Sequence, residues 1–207
     1  MVLRITAPDD LAEESRAAAL SFWEQLHSYG LRYPEFRESK RPLAVPEDAP
    51  ELVREMVRVA ADAGVGPMFT FRGAVTDEVG RFLARETPEV TVACGGDYFI
   101  LAKHRVKLAV HRRRGDPVGI VIRPRGGGVG VSTTLGRGKG EGPDGLAVVA
   151  GSCTAADAAA AGVQAILPKR DGMRLALRYL GEVPSVIGGV IVVGERIGVC
   201  GPVEIAA

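Results

Sequence analysis

The sequence predicts an α+β fold, mainly antiparallel β-sheets packed with helices, and three observations predict it. Apolar residues recur at helical spacing through the first ninety residues, the period turns to alternation after Pro88, and one small-sided helix then interrupts the later strands. A doubly wound parallel sheet would need strand and helix to alternate throughout. The expectation is one domain over 1–207, helical over about 9–86 and sheet-rich over about 89–205.

Leu11, Ala18, Phe22, Leu26 and Tyr29 share one face of a helix over 11–29, with Asp9 or Asp10 available to cap its start and Gly30 to stop it. Pro34, Pro42, Pro46 and Pro50 then forbid a long helix, so 31–50 reads as a strap on the surface. A second helix runs from about Pro50 to Gly64 and buries Leu52, Met56, Val59, Ala60 and Ala63. A third spans about Met68 to Arg85 with Val75, Val79, Phe82 and Leu83 inward, and Thr87-Pro88 ends it.

Strands are predicted at 90–94, 98–102, 106–110, 118–122 and 129–132, as an antiparallel meander, with another at 146–150. "TAADAAAAGVQAIL" reads as a buried helix opening at Thr154, Arg174 to Leu180 as a short helix, and Val186–Val193 with Ile197–Cys200 as a hairpin turning at Gly194-Glu195-Arg196. The apolar run 186–193 suits either core or a contact between subunits, and the residues alone leave both open.

With 207 residues, 46% of them hydrophobic, the chain can bury a substantial core. Its 26 Lys+Arg balance 25 Asp+Glu, so no global field favours nucleic acid or an anionic membrane. The three cysteines, Cys94, Cys153 and Cys200, form no CxxC pair, which argues against a disulfide framework or zinc ribbon and fits a reducing cytoplasm. No apolar run approaches the ~20 residues of a membrane span, and the first ten residues carry acids where a signal peptide needs an apolar core.

Four stretches invite a chemical reading. "RGGGVGVSTTLGRGKGEGPDG", 125–145, offers glycines for close backbone approach and three hydroxyls, Ser132, Thr133 and Thr134, suited to phosphate or ribose; a surface loop explains it as well. It is not a Walker loop, because Gly138-Lys139 is followed by Gly140. The basic hairpin 103–116 carries Arg112, Arg113 and Arg114 at its tip, which reads as a charged edge more readily than as a nucleic-acid surface. His27, His104 and His111 have no metal-ligand spacing and read as structural or exposed. Asp157 lies in the first turn of its helix, where an acid complements the dipole and could also reach a cation.

Five blocks in order then carry a resemblance over about 15–205: "YPEFRESKRPL", "GVGPMFTFRGAVTDEVGRFL", "EVTVACGGDYFIL", "LAVVAGSCTAADAAAAGV" and "GGVIVVGERIGVCGPVEI". Together they resemble the family allied to ApbE, the FAD:protein FMN transferase. The transferase's lysine-glycine motif, with an acid four places after the glycine, is similar to Arg72-Gly73 and Asp77; its glycine-glycine turn to Gly95-Gly96; its late ADA helix to Ala156-Asp157-Ala158; and its TSG stretch to Ser132 through Gly136.

The resemblance implies an FAD or related ADP-containing nucleotide between the glycine turn and that helix, with Mg²⁺ on the diphosphate and FMN passed to a Ser or Thr hydroxyl of a partner protein. On that reading Arg72 contacts phosphate, Asp77 fixes the surroundings of the glycine turn, and Gly73, Gly95, Gly96, Ser132, Thr133 and Thr134 contact ligand. Asp97 stands at the rim to accept from ribose or a ring N–H, and Asp157 holds the metal. Two departures imply weakened or lost transfer: Ala161 stands where the transferase has a metal-binding Thr, and no His follows His111. The allied family also implies an alternative, an accessory role in sulfur assimilation toward homocysteine, which would draw on Cys94.

Overall fold

The computed structural model describes residues 2–8, 10–45, 47–124, 126–134 and 142–206. Its helices are α1 (Ala12–Arg32), α2 (Pro34–Glu38), α3 (Glu51–Asp62), α4 (Phe71–Leu83), α5 (Cys153–Ile166) and α6 (Gly172–Glu182), with a 3₁₀ turn at Pro67–Thr70 leading into α4. The strands are β1 (Leu3–Thr6), β2 (Val90–Cys94), β3 (Asp97–Leu101), β4 (Val106–Val110), β5 (Val118–Ile122), β6 (Val129–Thr134), β7 (Gly145–Ala150), β8 (Val186–Val193), β9 (Arg196–Cys200) and β10 (Glu204–Ala206).

Every strand pairing among the described residues is antiparallel. The strands do not form one meander, however. A seven-stranded sheet runs β1-β2-β3-β6-β7-β8-β9, and β4 and β5 leave it to form a three-stranded sheet in the order β10-β5-β4. β6 therefore returns to β3, bringing Ser132 opposite Asp97. The sequence reading missed β1 and β10, which are edge strands of only four and three residues, and α2, a five-residue helix opened by Pro34 inside the proline strap.

Strand alternation sends one set of side chains of the large sheet toward the helices and the other toward the small sheet. Val92 and Phe99 meet Val75, Val79 and Leu83 of α4 together with Met56 and Val57 of α3. Leu146, Val148 and Ile191 meet the alanines of α5 and Leu180 of α6. On the opposite face Ile100, Val131, Val149, Val190 and Val192 meet Val110, Ile120 and Ile122 of the small sheet. Gly188 to Val192 are buried within the chain, which makes the centre of β8 core.

α5 is the element that positions the site. Its first eight residues are all buried, and small side chains let it lie deep against the sheet. A Cβ on Gly130 of β6 would come within 2.0 Å of the Cys153 nitrogen, and one on Gly73 of α4 within 2.4 Å of the Cys153 carbonyl oxygen. Two glycines on separate elements thus make room for one helix start. Among the described residues no helix is long and apolar enough to cross a membrane.

Candidate functional site

Asp77, midway along α4, and Asp157, in the second turn of α5, fasten the two helices to each other. The Cys153 amide donates to Oδ1 of Asp77 at 2.7 Å, while the Thr154 amide and hydroxyl donate to Oδ2 at 2.7 and 2.6 Å. Asp77 therefore supplies, from another helix, a carboxylate to the unpaired amides that open α5. Ser152 adds a local cap by accepting from the Ala155 amide at 3.1 Å. Burial pushes the Asp77 carboxyl up to about 6, against the lowering pull of Arg81 and its three donors.

In return, the Gly73 amide donates to Oδ2 of Asp157 at 3.1 Å. Asp157 is 8% exposed, and its carboxyl is pushed up to about 8, first by burial and then by the negative charge of Asp97.

Arg72 links this pair of helices to the sheet. Its Nε donates to Oδ2 of Asp97 at 2.9 Å and its Nη2 lies 3.9 Å from Oδ1 of Asp157, while 43% of the side chain stays exposed. The other oxygen of Asp97 accepts from the Ser132 hydroxyl at 2.6 Å. Burial raises the Asp97 carboxyl, and Ser132 and Arg72 oppose the rise.

Beside Arg72, Gly95 and Gly96 turn the β2–β3 hairpin with φ of +57° and +104°. Thr133 clamps this turn, since its amide and hydroxyl both donate to the Gly96 carbonyl, at 2.7 and 2.9 Å. A Cβ at Gly95 would meet only Arg72, at 3.6 Å or more, so the turn leaves the space beside the guanidinium unfilled.

Two clefts meet at Arg72 and Gln164. One, about 360 Å³, is walled by Met68, Phe69, Phe71, Asp157 and Ala161. The other, about 370 Å³, is walled by Gly95, Gly96, Tyr98, His111, Thr133 and Thr134. A larger apolar groove of about 890 Å³ lies elsewhere, between β1 and α1, and includes none of these residues. The pair at Arg72 combines an exposed aromatic ring, a guanidinium, hydroxyls and a side-chain-free turn, which is the better chemistry for an anionic ligand with a flat ring.

The structure thus gathers Arg72, Gly73, Asp77, Gly95, Gly96, Asp97, Ser132, Thr133, Thr134 and Asp157 around one place, with three corrections. Asp97 is not at a rim: its side chain has no exposure, because its register opposite Ser132 turns it toward α4 and α5. Ser132 is equally buried and is spent on Asp97. Asp77 serves the start of α5 rather than the glycine turn. The end of the TSG-like stretch at Gly136 and the Asp9 cap lie outside the described residues, whereas Asp10 does accept from the Ala12 amide, at 3.2 Å.

Phe69, Gln164 and His111 were not singled out for a site. Gln164 has a legible signal, seven residues after Asp157 and three after Ala161 on the same helical stripe. His111 has none, because it reaches its cleft from the small sheet. Cys94, at 2% exposure, has a thiol raised by burial and then by Asp97, so it offers no accessible thiolate for the sulfur reading.

A family model described as "AbpE bacteria" matches residues 1–169. The chain belongs to this family. Among its curated relatives, a UPF0280 protein of Methanosarcina barkeri is 27% identical over 210 residues, which is 95% of this chain and 82% of that protein. A UPF0280 protein of Methanocella arvoryzae is 29% identical over 185 residues, 86% of this chain and 75% of that protein.

Among solved structures, the apo flavinyl transferase ApbE of Pseudomonas stutzeri aligns with a TM-score of 0.55 at 14% identity, over 95% of this chain and 89% of that one. The ApbE protein of Thermotoga maritima aligns with a TM-score of 0.50 at 16% identity, over 98% and 78%. At such identities the likeness is one of fold, and it agrees with the α+β, mainly antiparallel architecture expected of this family member.

A magnesium ion does not fit the residues present. Mg²⁺ demands close to six oxygens in octahedral array and takes one or two carboxylates with phosphates and water, so the fit turns on the oxygens that Asp157 and its neighbours leave free. Asp157 has one oxygen on the Gly73 amide and the other facing Arg72, and Ala161 adds no oxygen.

Proposed function

We propose that the protein binds a nucleotide of the FAD class, a flat ring joined to a diphosphate, in the two clefts that meet at Arg72. The observation that carries this reading is the juxtaposition itself. Aromatic and thioether side chains at Phe69, Phe71 and Met68 stand on one side of a half-exposed guanidinium, with the Gly95-Gly96 turn and the Thr133 and Thr134 hydroxyls on the other. Rings pack on the first wall, phosphate oxygens accept from Arg72, and sugar hydroxyls find partners at the threonines. The fold shared with flavinyl transferases supports the choice of a flavin nucleotide.

The finer part of the reading concerns transfer of FMN to a Ser or Thr hydroxyl of a protein acceptor. Asp157 has no hydroxyl neighbour at Ala161, and the transfer step is therefore expected to be slow or lost while binding is retained. Calorimetric titration with FAD, FMN and ADP tests the binding claim. FAD should bind at least about tenfold more tightly than either fragment, because only FAD spans both clefts. Equal affinity for all three, or none for any, would contradict the proposal.

A further inference from the structure

We infer that Arg72 supplies the positive charge that a divalent cation would otherwise bring, so that this chain binds a nucleotide diphosphate without a metal. The inference rests on the nucleotide reading above and adds to it the means by which the diphosphate is neutralised.

Four observations carry it. Arg72 is the cation that both clefts share, and 43% of its side chain is open to them. Its orientation is set from behind, because Nε is committed to Asp97 at 2.9 Å and Asp97 is itself held by Ser132 at 2.6 Å. That leaves the two terminal nitrogens, with four N–H donors in a plane, for a ligand and for the weaker contact to Asp157 at 3.9 Å. Finally, Gly95 has no side chain to compete for the same space, where a Cβ would stand 3.6 to 3.9 Å from the Arg72 side chain.

The guanidinium fork matches two phosphate oxygens in one plane, which a diphosphate presents along its length. It also stands in the way of a second cation. A Mg²⁺ ion on Asp157 would sit beside a charge of the same sign, in a poorly solvated corner where that repulsion is weakly screened. With one Asp157 oxygen already on the Gly73 amide and the other facing Arg72, the arrangement favours Arg72 over the metal.

The test is a calorimetric titration of FAD into the whole chain, once with EDTA and once with Mg²⁺, for the wild type, Arg72→Gln and Arg72→Lys. Thermal melts confirm that each variant is folded. The wild-type dissociation constants should agree within about threefold between the two conditions. Arg72→Gln should bind at least about 30-fold more weakly in EDTA, and Arg72→Lys, which keeps the charge but loses the fork, should fall between.

Wild-type binding that needs Mg²⁺, or a folded Arg72→Gln with unchanged metal-free affinity, would overturn the assignment to Arg72 and leave the nucleotide reading standing. No FAD binding in either condition would overturn that reading, and the inference with it.

Discussion

Asp77 holds Thr154 by two hydrogen bonds to one oxygen, 2.7 Å from the amide and 2.6 Å from the hydroxyl, across 77 residues of chain. The carboxylate is fully buried and also takes the Cys153 amide, so its removal would leave three donors without partners at the start of α5. Asp77→Ala should cost about 3 kcal/mol or more of stability, read from the midpoint of urea unfolding. Thr154→Val, which removes only the hydroxyl, should cost about 1 kcal/mol.

Stability should fall as pH rises through the neutral range. Asp157 keeps its proton to about pH 8 in the folded chain, and Asp77 to about pH 6. The unfolded chain releases both near the ordinary value of about 4. Between those limits the folded state binds more protons than the unfolded one, so raising the pH favours unfolding. Melting temperatures across pH 5 to 9 check this, and Asp157→Asn should flatten the decline above about pH 6.

The site glycines should separate into two kinds. At Gly73 a Cβ would meet the Cys153 carbonyl oxygen at 2.4 Å and the Asp157 Cβ at 2.9 Å, both on α5. Gly73→Ala should therefore force α4 and α5 apart and cost about 1–3 kcal/mol. At Gly95 the new methyl meets only ordinary contacts with Arg72, and the cost is the positive φ, about 1–2 kcal/mol. Gly95→Ala should fold well yet lose FAD affinity, because its methyl occupies the space beside the guanidinium. The pair of measurements is a melt and a titration for each variant.

Thiol labelling distinguishes the nucleotide reading from the sulfur alternative. Cys94 and Cys153 are buried and Cys200 is partly exposed. Burial raises the thiols of the first two. Cys200 should react first with a water-soluble disulfide reagent, and Cys94 only after unfolding. Rapid labelling of Cys94 in the native chain would return a sulfur role to consideration.

Much of the fold was legible because its signals are local. The 3.6-residue spacing of Leu52, Met56, Val59 and Ala63 and the stop at Gly64 lie within one helix and its end, and the glycine turn between β2 and β3 lies between two adjoining strands. The departure of β4 and β5 to a second sheet was not legible, since β3 and β6 choose each other across 27 intervening residues and no local period records that choice. The site divides in the same way. The positions of Arg72, Gly95 and Asp157 stood out, but the role of Asp77 depends on a helix 76 residues later, and the burial of Asp97 depends on the strand that pairs with it. Phe69, in the 3₁₀ turn before α4, and His111, just after β4, become site residues only because the clefts they line meet at Arg72 and Gln164.

The most direct test of where the nucleotide lies is hydrogen–deuterium exchange of the wild-type chain with and without saturating FAD. The account predicts slower exchange in the segments that contain Phe69 to Gly73, Gly95 to Tyr98 and Ser132 to Thr134, and no change along Leu3 to Thr6 and Leu20 to Trp23 beside the larger apolar groove. Protection confined to that groove, or FAD bound with no protection around Arg72, would contradict it.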